Sequence, residues 1–339
     1  MKSTLLATVA LLTASVTFAG NRDGALVVTS SNATNNQLLV YDTAGNLVES
    51  VSTPEHGGVG GNAGGVVASG GMVAVANFGS QTVSLFLRGR AGFELRQVIP
   101  TNSQPVSVAF GQDHLYILGT TIVESHRIGP DGADAVADGA VALIAADGSA
   151  AQVGVVGDQL IVTEKSGTIE NVELRGGAVA SSPVAVALPS EGGDSPFGFA
   201  TRGSNAYVTF AGSDLVGVVT NGTTIATAAT GTPGGTGQHS PCWAALVGPY
   251  LFTTNSPSHS ISRLVAGGHQ IALDAPVAAQ TGGAPIDIAA DGNLVAVLES
   301  NGGGVSHLTQ YRADEDGNLT QTVSTPIASP ANGVAIVFP

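Results

Sequence analysis

The sequence predicts an all-β protein, a seven-bladed β-propeller whose first blade is closed by the C-terminal strand, and three observations carry that expectation. First, an apolar strand led by a small residue or proline recurs at Pro105, Ala150, Pro196, Pro241, Pro285 and Pro330, at spacings of 45, 46, 45, 44 and 45 residues. Periods of this length, each holding several short strands, are the mark of propeller blades. Second, the two ends are complementary: residues 330–339 supply one strand, while 25–54 read as three strands without an opening one. Joined, they complete a blade and remove two free sheet edges. Third, glycine is 47 of 339 residues and charged residues only 11 %. Short Val/Ala/Leu/Ile runs broken by Gly, Asn, Asp, Ser and Pro are strands and tight turns.

The elements follow in order. Residues 1–19 read as a cleaved secretory leader, with Lys2, a mainly apolar stretch over 5–16 and a small residue at Ala19. That stretch is shorter than the roughly 20 residues a membrane span needs. Residues 20–339 are therefore expected to be one secreted, extracellular propeller domain, monomeric and without membrane insertion. After the three strands of 25–54, a blade opens at Asn62 (NAGGVVA, then MVAVA). The next five open at Pro105 (PVSVAF), Ala150 (AAQVGVV), Pro196 (PFGFA), Pro241 (PCWAAL) and Pro285 (PIDIAA), and Pro330 begins the closing strand. Sequons at Asn32, Asn221 and Asn318 offer sites for glycans, which would make the chain a glycoprotein.

Charge narrows the function. A net charge of −14 with two lysines in all leaves no basic stripe for a phosphate backbone, so nucleic acid is excluded as a partner. A small lactone, a carbohydrate or a protein surface remains. Cys242, the one cysteine, sits beside Trp243 on an inner strand and reads as core. No nucleophile elbow, P-loop or dinucleotide fingerprint is present.

Several segments resemble a known family: 60–86 (GGNAGGVVASGGMVAVANFGSQTVSLF), 104–110 (QPVSVAF), the TEK segment within 152–172, 195–200 (SPFGFA), the PCW segment within 237–264, and 285–306. They are similar to successive blades of the seven-bladed lactonase family, also labelled carboxymuconate cyclase and related to the propeller phosphogluconolactonases. The resemblance spans essentially the whole of residues 20–339 and implies a propeller that opens or closes a lactone ring, a hydrolase or isomerase. Muconate cyclisation would further require arginines to fork the substrate carboxylates. The arginines here, at 22, 88, 90, 96, 127, 175, 202, 263 and 312, fall mostly on third strands, outer turns or the opposite face, leaving Lys165 as the cation on the ligand side. A polyanionic substrate is poorly matched.

Blade geometry places the candidate site at the face where lead-in loops and the turns after second strands crowd the channel. His56, Asn62, Gln104, Asp194, His239 and Asn332 come from the former, and Asn77, Glu164, Lys165, Asn255, His259, Glu299 and Asn301 from the latter. Proton transfer in lactone chemistry suits histidine, which makes His239 and His56 the catalytic candidates. Glu164 and Lys165 are a second candidate acid–base pair, although neighbours on a strand point to opposite faces. Asn62, Asn77, Trp243, Asn255 and Glu299 are the expected substrate contacts, with Asn77 and Asn255 polarising the carbonyl. No resident metal or cofactor is expected. Were a hard cation such as calcium held, Asn77, Asn255, Glu164, Glu299 and Asp287 would be its oxygen donors. The competing reading is a non-catalytic propeller, an adhesin or host-interaction factor, used as a rigid binding platform.

Overall fold

In the computed structural model, which describes residues 24–189, 193–230 and 237–338, seven antiparallel sheets stand in a ring around a central channel. The leader expected over 1–19 lies outside the described residues. Blade 1 has the order Leu47–Ser52, Gln37–Asp42, Leu26–Ser30, Asn332–Val337, so the C-terminal strand is innermost, as the complementary ends predict. Its register runs from Leu26 opposite Val337 to Ser30 opposite Asn332. Blades 2 to 7 follow over 66–100, 105–142, 150–185, 196–229, 241–280 and 284–327.

Blades 3 and 4 depart from the simple four-strand plan. Their outermost strand is split into Gly132–Ala133 and Gly139–Ala142 in blade 3, and Ala178–Val179 and Val184–Ala185 in blade 4. The seven sheets pack face to face through alternating Val, Leu, Ile and aromatic side chains, with Tyr116, Tyr207, Tyr311, Phe86, Phe210 and Phe252 among the largest fully buried. Small residues dominate the inner strands because the ring is narrowest there.

One irregularity recurs and positions the site. Six of the seven inner strands carry a register shift at their second or third residue: between Pro105 and Ser107, Ala150 and Gln152, Pro196 and Phe199, Pro241 and Trp243, Pro285 and Asp287, and opposite Thr29/Ser30 in blade 1. An opening proline tolerates the first strand position because it donates no ladder hydrogen bond there. The bulge behind it re-aims the next side chain. Several of those side chains reach the neighbouring blade. Ser107 Oγ accepts the Val153 N–H at 3.2 Å. Gln152 accepts from the Phe199 N–H at 2.7 Å and donates to the Phe199 carbonyl at 3.0 Å. Asp287 Oδ2 accepts the Val334 N–H at 3.1 Å. The bulge side chains thus tie blade 3 to 4, 4 to 5 and 7 to 1 near the lead-in end of the channel.

Candidate functional site

The glycine-rich lead-in to blade 2 forms a strap across the channel mouth. Gly58, Gly61 and Gly64 adopt φ of 95°, 63° and 67°, a region that L side chains enter only with strain, so the segment turns where other residues would not. Its contacts reach four other blades. Gly58 N–H donates to the Asn32 carbonyl at 3.2 Å, Ala63 N–H to the Ala151 carbonyl at 3.0 Å, and Asn62 Nδ2 to the Val106 carbonyl. Trp243 Nε1 donates to the Asn62 carbonyl at 2.8 Å. Asn332 Nδ2 donates to Asn62 Oδ1 at 3.1 Å.

Lys165 completes the closure. Its Nζ donates to the Gly61 carbonyl, lies 3.5 Å from the Ala150 carbonyl and stands 5.6 Å above the Phe197 ring. Burial holds its ammonium below the usual lysine range. Phe197 in turn meets Trp243 edge-on at 5.1 Å. A recess of about 310 Å³ remains above the strap, lined by Val59, Gly61, Trp243, Ile286, Ser306 and Asn332 among others. Below it, a cavity of about 440 Å³ occupies the channel, walled by inner-strand backbone with Gln152, Asp287 and Asp291. Trp243 borders both.

The structure separates the other sequence-derived candidates. Glu164 does not pair with Lys165. The alternation of the strand sends it into blade 4, fully buried, where it accepts the N–H groups of Ala145 and Ala146 at 3.2 and 3.3 Å. Its neighbour Glu170 has its carboxyl pushed well above the usual range by burial first and by Glu164 next. Asn77 and Asn255 are likewise fully buried and do not face substrate space. Each amide nitrogen clamps hydroxyls of the following strand: Asn77 to Thr82 and Ser84, Asn255 to Ser260 and Ser262. Asn77 Oδ1 also accepts from Asn36 at 2.9 Å, across to blade 1. Glu299, also without exposure, accepts the Gly283 N–H at 3.0 Å. Glu164 and Glu299 thus anchor the crossovers into blades 4 and 7, while Asn77 and Asn255 secure the hairpins between second and third strands of blades 2 and 6. Among the described residues, no three His, Cys, Asp or Glu side chains converge as a metal site.

His56 is exposed, with its backbone N–H on Ser80 Oγ at 2.7 Å. His239 repeats that backbone bond, to Ser258 Oγ at 2.9 Å, but has a partner that His56 lacks among the described residues. Its Nδ1 lies 2.8 Å from Asp214 Oδ2. Asp214 Oδ1 accepts the Ser240 N–H at 2.7 Å, which fixes the carboxylate across the junction of blades 5 and 6. With the His239 side chain 62 % exposed, the dyad opens to solvent. A carboxylate accepting Nδ1–H leaves Nε2 with a free lone pair, able to accept a proton. Sequence reading missed Asp214 because it precedes His239 by 25 residues, in the turn of another blade. Cys242 is no nucleophile: it is 8 % exposed, its Sγ donates to the Ser240 carbonyl, and burial pushes its thiol up to about 11.

No known protein-family model matches the chain, and no curated protein matches it in sequence. Solved structures do share its fold. A Bacteroides fragilis protein provisionally assigned as a 6-phosphogluconolactonase is 15 % identical, with a TM-score of 0.67 over 93 % of this chain and 98 % of its own. The periplasmic gluconolactonase of Pseudomonas aeruginosa is 14 % identical, with a TM-score of 0.69 over 92 % and 99 %. A chain of the mitotic checkpoint complex, 12 % identical, still gives a TM-score of 0.57 over 78 % and 80 %. The class defined is therefore the seven-bladed β-propeller, an architecture that hosts unrelated functions.

Proposed function

We propose that the protein is an exported lactone hydrolase acting on an uncharged ring, with His239 as general base. The observation that carries this reading is the His239–Asp214 contact, a histidine held in one tautomer by a carboxylate while its other nitrogen has no partner among the described residues. His239 Nε2 takes a proton from water as the water attacks the lactone carbonyl, and Asp214 stabilises the imidazolium that results. Returning that proton to the ring oxygen as the C–O bond breaks gives the open hydroxy acid.

The lactonase names carried by two fold neighbours support the reaction class, and the leader-like residues 1–19 support export. Charge supports a neutral substrate over a phosphorylated one. Arg96 and Arg263 pair with Asp131 and Asp274, Arg202 at the far end of an inner strand bonds the Gly248 and Ala266 carbonyls, and Arg312 on a third strand bonds Asn293. Lys165 is committed to the strap. A panel of neutral, phosphorylated and carboxylated lactones, assayed with His239→Ala, Asp214→Asn and His56→Ala, tests the proposal. Loss of about 100-fold or more in kcat with His239→Ala, with His56→Ala unaffected, is expected; turnover that survives both His239→Ala and Asp214→Asn would refute it.

A second reading, a non-catalytic binding propeller, is favoured by one observation. The strap over 57–63 closes the mouth that a substrate would use in an open-channel enzyme. A folded protein that opens no lactone but retains a carbohydrate on a glycan array would decide for it.

A further inference from the structure

We propose that Thr230, with Ser260 beside it, is a positioning residue that holds His239 and Asp214 at bonding distance; the inference rests on the hydrolase reading of that dyad. Asp214 belongs to the turn after the second strand of blade 5, Asn205–Phe210, and His239 to the lead-in of blade 6. Their 2.8 Å contact is therefore only as constant as the junction between two blades. Local backbone does not fix that junction. Asp214 and Ser240 both lie in the left-handed region, at φ of 57° and 56°, which an L residue keeps only where its surroundings impose it.

Thr230 meets both segments. It follows Thr223–Ala229, the outermost strand of blade 5, and is fully buried. Its backbone N–H donates to the Asp214 carbonyl at 3.0 Å. Its Oγ1 stands 3.2 Å from that carbonyl and 3.0 Å from the carbonyl of Gln238, the residue before His239. A hydroxyl has one proton to give. Since the N–H already serves Asp214, that proton goes to Gln238, and one residue ties the backbone of both halves of the dyad. Ser260, also without exposure, holds the side chain of Gln238: its Oγ donates to Gln238 Oε1 and accepts from Asn255 Nδ2 at 3.1 Å.

The clamp itself is general. Thr101 N–H donates to the Gln81 carbonyl at 3.1 Å and Thr101 Oγ1 to the Ser103 carbonyl at 2.8 Å, across the junction of blades 2 and 3. Thr281 treats the carbonyls of His259 and Gly283 in the same way between blades 6 and 7, both at 2.8 Å. At the junction of blades 5 and 6 the device becomes the mount of a histidine–carboxylate pair. Thr101→Val is thus a matched control, the same deletion at a junction away from His239.

The tautomer of His239 reads the mount without any substrate, because a carboxylate at Nδ1 favours the Nδ1–H form and a loosened one releases it. Long-range 15N–1H NMR of the full chain, labelled at histidine and held where imidazole is neutral, measures the ratio of Nδ1–H to Nε2–H; loss of the signal in His239→Ala assigns it. Wild-type His239 is expected mainly as Nδ1–H, with the ratio lowered at least about threefold in Thr230→Val and kept in Thr230→Ser and Thr101→Val. Ser260→Ala lowers it in the same direction and is read in place of Thr230→Val should that variant not fold. The proposal is overturned if wild-type His239 is mainly Nε2–H, if the variant lacking the clamp keeps the wild-type ratio, or if Thr101→Val lowers it as far. Wild-type protein that opens no lactone yet shows the expected ratios refutes the hydrolase reading and leaves the mount standing. An active enzyme whose ratio is indifferent to Thr230 does the reverse.

Discussion

Trp243 Nε1 donates a 2.8 Å hydrogen bond to the carbonyl of Asn62. The inner strand of blade 6 thereby holds down the strap that leads into blade 2, three blades away around the ring. The chain's single tryptophan is thus spent on closure of the mouth, with 6 % of its surface exposed.

Replacing that residue separates its polar and apolar parts. Trp243→Phe keeps an aromatic ring against Phe197 but drops the donor, and is expected to cost about 1 kcal/mol. Trp243→Ala also leaves a cavity between strap and channel, for about 3 to 5 kcal/mol. Urea unfolding measures both, and equal costs for the two variants would show that the hydrogen bond to Asn62 carries the effect alone.

Stability is expected to fall as pH rises through the weakly acidic range. Burial raises the Asp287 carboxyl from 3.8 to about 7, opposed by its bonds from Ile288 and Val334. Below the unfolded value both states are protonated and no penalty exists. Between that value and about 7 the native state binds the extra proton, so stability drops with pH, and above about 7 the loss is complete, on the order of a few kcal/mol. Glu170, raised in the same direction by burial and Glu164, adds to the slope. Asp287→Asn keeps an oxygen acceptor for one of the two N–H groups, sets its amide NH2 against the other, and removes one titration. Its unfolding free energy should therefore fall less between pH 4 and pH 8 than the wild type's; parallel profiles would mean that Asp287 is ionised in the native state throughout.

The ring closure has a direct test. A chain ending before Pro330 lacks the inner strand of blade 1, leaving Leu26–Ser30 with one edge unpaired and Asn62 without Asn332. Loss of a cooperative thermal transition is expected by circular dichroism. A truncated chain that melts as the full one does would show that the other six blades close by themselves.

Glycosylation in a eukaryotic secretory host should follow access. Asn221 is exposed at the tip of the hairpin between Leu215–Thr220 and Thr223–Ala229, with φ of 48° followed by 73° at Gly222, a two-residue turn whose Gly222 carbonyl accepts the Ala187 N–H while the Asn221 side chain stays open to solvent. Asn32 is 9 % exposed and its amide donates to the Val59 carbonyl, while the Asn318 amide is held by Asp314 and its oxygen by Arg263. Intact-mass measurement should find the highest occupancy at Asn221, and Asn221→Gln should remove most of the added mass. Full occupancy at Asn32 with none at Asn221 would overturn this order.

The blade plan was legible because period is a one-dimensional property: Pro105, Pro196, Pro241 and Pro285 open inner strands at the positions their spacing gives, and the split ends fit one sheet. Direction was harder. Asn77, Glu164, Asn255 and Glu299 occupy the strand ends expected of them, yet each side chain is buried, Glu164 and Glu299 binding crossovers and Asn77 and Asn255 the following strand, because strand alternation decides the face and a single register step reverses it. Lys165 and Asn62 were placed at the mouth, but the strap they secure was not foreseen, since positive φ at Gly58, Gly61 and Gly64 allows many paths for one glycine-rich stretch. Partnerships between blades, such as Asp214 with His239, leave no periodic trace at all.

Blade 1 also dictates when folding can finish. Val28 pairs with Ala335, residues separated by 307 positions (335 − 28), so the sheet that starts near one end of the described chain waits for a strand at the other. A partner that far away must be found by diffusion of all the blades between them, which slows closure relative to the local hairpins of blades 2 to 7. During synthesis the emerging chain can assemble hairpins one after another, but the circle stays open, with Leu26–Ser30 offering its backbone to any passing strand. Asn332–Val337, made long after the strand it pairs with, is thus the segment that turns a row of blades into a wheel.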